Sequence, residues 1–174
     1  MTPVPRDGPL PLSFAQQRMG WLHQMAPGDM AYVIVDALRV EGRLDTLRLR
    51  AAFETVVARH EPLRTTYADN DGTASQHIHD VLAPRWIEED ARTLDDHALT
   101  RRATALVREP FDLARGPMLR VVLLRRGHDE HLLLVVVHHI ASDGASGVVL
   151  LREVQAAYEG RALPPLPLQY ADWS

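Results

Sequence analysis

Six consecutive apolar residues, Leu132-Leu133-Leu134-Val135-Val136-Val137, run directly into His138-His139, and no other stretch restricts the fold as tightly. The run is far too short to span a bilayer and is rich in β-branched valine, so it reads as a strand. Side chains of a strand alternate between its two faces. An unbroken apolar run therefore needs cover on both faces and belongs in the middle of a sheet packed with helices. Its neighbour precedes it. Met118 to Arg125 and His131 to Ile140 flank Gly127-His128-Asp129 and form the clearest hairpin in the chain.

Punctuation residues place the other elements around that hairpin. Ser13 and Gln16 form a capping-box pair that opens a helix to Met25, stopped by Pro27-Gly28. Tyr32 to Glu41 reads as a strand ended by Gly42. Asp45 caps a second helix with Leu49, Phe53 and Val56 on one face, and Glu61-Pro62 ends it because the residue before proline leaves the helical region. Leu63 to Tyr67 and Thr73 to His79 read as strands joined by an Asp69-Asn70-Asp71-Gly72 turn. Thr93 to Glu109 reads as a helix begun by a Thr93/Asp96 capping pair and stopped by Pro110. A last helix runs from Gly144 to Tyr158 and is closed by Gly160. Strands joined by both tight turns and helices imply an α/β fold with a mixed β-sheet. Residues 1–12 read as an extended arm, 13–162 as the folded body and 163–174 as a proline-rich linker.

The composition excludes several functions. A length of 174 residues with 46% apolar and 24% charged residues suits one compact domain. A net charge of −4 without a basic run gives nucleic acid and anionic membranes little to bind. The lack of cysteine removes disulfides, thiolate zinc sites and a thiol nucleophile together. Pro3, Pro5 and Pro9, with Arg6, leave no apolar core for a signal peptide, so a cytoplasmic location is expected.

His138 and His139 end the central strand on opposite faces, so their rings cannot share one job. An isolated pair of this kind is ordinarily satisfied within the core. A metal site is disfavoured, because the spacing is not helical and no third ligand is near. The string His138-His139-Ile140-Ala141-Ser142-Asp143-Gly144 matches the pattern HHxxxDG. Three further segments agree in order. Ser13 to Leu22 is similar to SxAQxRLWxL, with Gly20 inserted before Trp21. Arg59 to Tyr67 is similar to RHExLRTxF. Gln169-Tyr170-Ala171-Asp172-Trp173 resembles the beginning of YADYAxW. Pro110-Phe111-Asp112-Leu113 and Gly116-Pro117 fit the same pattern. Together these segments resemble the condensation domain of nonribosomal peptide synthetases, over its N-terminal lobe.

The resemblance implies a chloramphenicol-acetyltransferase-like lobe that forms one side of a tunnel. His139 would be catalytic, taking a proton from the acceptor amine or orienting it. The amine attacks a donor thioester and an amide forms. His138, Asp143, Gly144 and Arg64 would support the site: His138 packing beneath it, Asp143 in a buried pair with Arg64, and Gly144 leaving room in the channel or lending a weak oxyanion donor. Breaking such a pair would cost about 3–5 kcal/mol. Ala145 stands where the family usually has tryptophan, and Ser142 is common in the subtype joining two L-residues. Ser13 and Arg18 would cap or buttress, and His77 and His79 receive no role. No metal or bound cofactor is implied, because substrates arrive on the 4'-phosphopantetheine of donor and acceptor carrier-protein domains. The C-terminal lobe is missing, so the isolated half would be inactive and prone to self-association through its uncovered face. An epimerisation domain, a non-catalytic carrier-docking lobe and an acyltransferase using free coenzyme A are the alternatives.

Overall fold

The computed structural model describes residues 3–70 and 73–173. Eleven regular elements follow in chain order: β1 (Leu10–Pro11), α1 (Phe14–Met25), β2 (Val33–Glu41), α2 (Thr46–Arg59), β3 (Thr65–Asn70), β4 (Thr73–Ile78), β5 (Arg85–Asp90), α3 (Asp96–Val107), β6 (Leu119–Arg125), β7 (Glu130–His138) and α4 (Gly144–Tyr158). Short 3-10 turns occupy Met30–Tyr32, Glu61–Arg64 and Tyr170–Trp173.

β7 lies inside a four-stranded sheet of order β2-β7-β6-β5, antiparallel to both of its neighbours. Its alternation splits the core into two layers. Leu133, Val135 and Val137 face α2 and α4, meeting Phe53, Val56 and Leu150. Leu134 and Val136 face the opposite way, onto Leu106, Phe111 and Met118. Val135 and Val136 are both fully buried, as the unbroken apolar run requires. Each such side chain stabilises the fold by about 1.5–3 kcal/mol.

The helix starts follow their capping residues. Ser13 Oγ accepts the Gln16 amide, and Gln16 Oε1 accepts the Ser13 amide at 3.0 Å, completing the capping box. Asp45 accepts the Arg48 amide at the start of α2. Gly160, with φ of 77°, ends α4 in a left-handed conformation that favours glycine.

Three expectations need correction. The strands do not form one sheet, because β3 and β4 pair with β1 in a separate three-stranded sheet. Leu63 belongs to the Glu61–Arg64 turn rather than to a strand, since Pro62 starts a 3-10 helix. Of the residues assigned to the following turn, Asp71 and Gly72 lie outside the described residues. α3 begins at Asp96 with Asp95 as its cap, accepting the Ala98 amide at 2.7 Å. Thr93 cannot open it, because the Ala91 amide still bonds Arg125 and the Leu94 amide closes a turn on Ala91. β5 was not foreseen. It carries Arg85, Glu88 and Asp90 at exposed positions on the sheet edge, and it pairs parallel to β6 across the α3 crossover.

Segments near both ends of the described residues are held to the body. Leu10 and Pro11 pair with β4, and the Arg6 guanidinium bridges Glu61 and Asp172, each at 2.8 Å. The Asp172 carboxylate, 1% exposed, also accepts the amides of Val4 and Gln169. The proline-rich segment read as a linker returns along the body and reaches this clamp. Among the described residues no helix is long and apolar enough to cross a membrane.

Candidate active site

β7 remains in the ladder as far as His138, which pairs with Val33, and then breaks away. The Ala141 amide closes a turn on the His138 carbonyl at 3.0 Å, and the His139 amide bonds Tyr32 at 2.8 Å. Strand alternation has already turned the two rings in opposite directions. His138 is 2% exposed and sits edge-on to His23 and Phe111, at ring separations of 5.4 and 5.8 Å. Its Nδ1 accepts the Ile140 amide at 3.2 Å, so the ring braces the turn that carries His139. Burial lowers His138 to about 4, with His23 and His139 adding to the effect. At neutral pH it is an uncharged brace.

His139 is exposed and lines a cavity of about 660 Å³. Its ring has no hydrogen-bond partner among the described residues. Leu63, Ile140, Val149, Leu150, Leu166 and Leu168 supply much of the apolar wall. Asp143, Ala145 and Ser146, all exposed, also line the cavity. An imidazole at the mouth of such a space can exchange a proton with a group held there.

The supporting residues are arranged differently from the expected pattern. Asp143 caps α4, with Oδ1 accepting the Ser146 amide at 2.8 Å and the Ser146 hydroxyl at 2.6 Å. The Ser146 hydroxyl is the main cause of a carboxyl held below its ordinary range. Arg64 is not its partner. That side chain donates to the Ala58 and His79 carbonyls and lies 3.9 Å from Glu61, joining the end of α2 to the end of β4. The buried Asp143–Arg64 pair is therefore absent, because Asp143 is exposed and its oxygen is committed to the helix start. A Cβ on Gly144 would meet no heavy atom within 4 Å, and its φ is not left-handed. The protein itself thus imposes no need for glycine there. The neighbouring amides of Ala145 and Ser146 point to Asp143, which removes them as oxyanion donors. Ala145 and Ser142 line the cavity. Ser13 caps α1 as expected, and Arg18 is exposed.

Sequence reasoning missed several lining groups. His60 lines the cavity with its Nε2 2.6 Å from Glu153, and Arg59 reaches the same oxygen at 3.0 Å. Gln169, Tyr170, Leu166 and Leu168 come from the segment read as a linker. His60 was visible in the quoted RHE string, but nothing there indicated that Glu153 would meet it. Among the described residues no three His, Cys, Asp or Glu side chains are grouped to hold a metal.

Comparison with known proteins agrees with this layout. A family model described as Condensation domain matches residues 7–174. A linear gramicidin synthase from Brevibacillus parabrevis is 42% identical, covering 99% of this chain and 2% of that protein. Phosphinothricin tripeptide synthetase PhsC of Streptomyces viridochromogenes is 41% identical, covering 97% of this chain and 16% of its own length. The X-domain from teicoplanin biosynthesis superposes with a TM-score of 0.85 at 38% identity, covering 98% of this chain and 38% of that structure. The chain thus spans a small part of its curated relatives and less than half of the solved domain. With its histidine turn, capped α4 and four ordered motifs, it belongs to the condensation domain family.

Proposed function

We propose that this chain is the N-terminal lobe of an amide-forming condensation domain in a nonribosomal peptide synthetase, with His139 at the reacting centre. The observation that carries this is the outward-facing ring of His139 on a cavity of about 660 Å³, braced from beneath by the neutral His138. An acceptor aminoacyl amine attacks the carbonyl carbon of a donor thioester. The new C–N bond forms, the C–S bond breaks, and the proton lost by the amine passes through His139 to the departing sulfur. An amine already has a lone pair, so holding it in line accounts for part of the rate.

Donor and acceptor carrier proteins are the proposed partners, presenting both substrates on 4'-phosphopantetheine arms. The apolar walls suit a chain that leaves water on entry. Asp143 and Arg64 support the site through the helix start and the α2 end rather than by touching the reacting atoms. The test is amide formation by the complete domain with both carriers loaded, comparing the natural sequence with His139→Ala. Proton transfer through His139 predicts a loss of roughly 10²–10⁴-fold. A loss of only a few fold would reassign the residue to positioning. A product with an inverted α-carbon and no new amide would favour epimerisation, and turnover of free coenzyme A thioesters would favour a simple acyltransferase.

A further inference from the structure

The cavity beside His139 has many polar side chains in its wall, and most of them are already satisfied. Gln16 Oε1 accepts the Ser13 amide at 3.0 Å. Gln169 accepts the Glu61 amide at 3.2 Å and donates to the Arg59 carbonyl at 2.9 Å. Tyr170 and Ser13 share a hydroxyl hydrogen bond of 2.9 Å. Asp143 and Ser146 bond each other, and Ser142 bonds the Asp143 carbonyl at 3.3 Å. Two imidazoles remain. His139 is used in the proposed reaction, and His60 is not.

His60 is half-buried and its orientation is fixed from one side only. The Glu153 carboxylate, 2.6 Å from Nε2, can only accept, so Nε2 carries the proton. Arg59 holds the same carboxylate in place at 3.0 Å. In the neutral ring this makes Nδ1 a lone-pair acceptor, and it has no partner among the described residues. His60 thus brings to the cavity wall a ring whose orientation is fixed by Glu153 and whose second nitrogen is unclaimed by the described residues.

We propose that His60 is a specificity-determining residue whose Nδ1 accepts a hydrogen bond from an unsubstituted amide N–H of the substrate chain. The ligand class this selects is an aminoacyl or peptidyl thioester with an apolar side chain, in preference to an N-alkylated one or a plain acyl chain. The inference rests on the condensation reading above. Gln169 and Tyr170 are less free for the role, because both ends of the Gln169 amide already bond the protein and Tyr170 is tied to Ser13.

The probes are two non-hydrolysable pantetheine amide analogues of an N-acetyl-leucyl thioester, one with the leucyl amide N–H and one N-methylated. Each is titrated into the complete domain with ¹⁵N-labelled histidine, following the ring nitrogens of residues 60 and 139. The N–H ligand is expected to bind roughly 3–10-fold more tightly, the range of one hydrogen bond, and to shift the His60 Nδ1 resonance. His60→Gln keeps a donor near the Nε2 position for Glu153 and removes the Nδ1 acceptor. It should melt normally and bind both ligands alike. Equal binding of the two by the natural chain, with His139 shifted and His60 Nδ1 unmoved, would overturn the proposal and leave the condensation reading standing. A preference for the N–H ligand that survives in His60→Gln would also overturn it, since the methyl group would then be excluded sterically. Binding that leaves His139 unmoved, or no binding of either ligand, would overturn the condensation reading itself.

Discussion

Replacing Arg120 with methionine tests the packing beneath the site more sharply than any other single change. Arg120 lies on β6, is 2% exposed, and among the described residues has no carboxylate within salt-bridge distance. Its guanidinium is held by main-chain oxygens instead. Nη1 donates to Leu106 and Val107 at 2.9 and 3.3 Å, and Nη2 to Glu109 and Pro110 at 2.9 and 3.4 Å. Leu106 and Val107 lie in the last turn of α3, where orphan carbonyls and the helix dipole favour a cation, and Glu109 and Pro110 follow just beyond it. The group also lies 4.7 Å from the Phe111 ring centre. Methionine keeps most of the stem and removes every donor. The two short bonds leave buried carbonyls unpaired at about 1–3 kcal/mol each, and the cation–π contact adds about 0.5–2 kcal/mol. Relief comes from removing a desolvated charge whose Nε has no partner. The balance is a net loss of about 3 kcal/mol, which for a domain of this size lowers Tm by about 6–12 °C. Urea denaturation followed by circular dichroism measures it, with the slope m unchanged if only the folded state is affected. Arg120→Lys, a single point donor, should recover less than half. A methionine variant as stable as the natural chain would show that desolvating the charge outweighs its carbonyl bonds, and the reasoning would fail.

Two further outcomes are expected. Asp143→Ala should cost about 0.5–2 kcal/mol by urea denaturation, the worth of a helix cap, and Asp143→Asn should be nearly neutral; a loss of about 3–5 kcal/mol would restore the buried ion pair that the structure lacks. His138, lowered from 6.5 to about 4, stays uncharged in the fold while the unfolded chain takes up a proton, so its contribution is complete above pH 6.5 and is lost as pH falls toward 4. Denaturation midpoints at pH 7 and pH 4.5 should therefore separate more for the natural chain than for His138→Asn, which keeps an acceptor for the Ile140 amide; an equal separation would place the acid sensitivity elsewhere.

What was legible in the sequence was local or strongly patterned. Ser13 with Gln16 and Asp45 fixed two helix starts, because a cap needs only its own neighbours three positions on. The run from Leu132 to Val137 announced a strand buried on both faces. Thr93 misled because capping pairs recur, and only the turn from Ala91 to Leu94, a tertiary matter, decides between Thr93 and Asp95. β5 was hidden by its charges, which an edge strand tolerates and a periodicity test discards. At the site, the opposed rings of His138 and His139 followed from the two-residue period. The partners of Asp143, Arg64 and His60 did not, since each depends on where a distant segment comes to rest. The same is true of Arg120, whose acceptors lie 10–14 positions earlier in the sequence.

The Arg6 clamp gives two distant segments of the chain a shared job. Arg6 and Asp172, 166 positions apart, meet beside residues that line the cavity next to His139. Trimming the first half-dozen residues would leave the Asp172 carboxylate without its cation and free the strap that carries Leu166, Leu168 and Tyr170. A break at Arg6 would then be felt at the cavity through residues 166–170, so the proline-rich segment ahead of Ser13 is laced into the folded body.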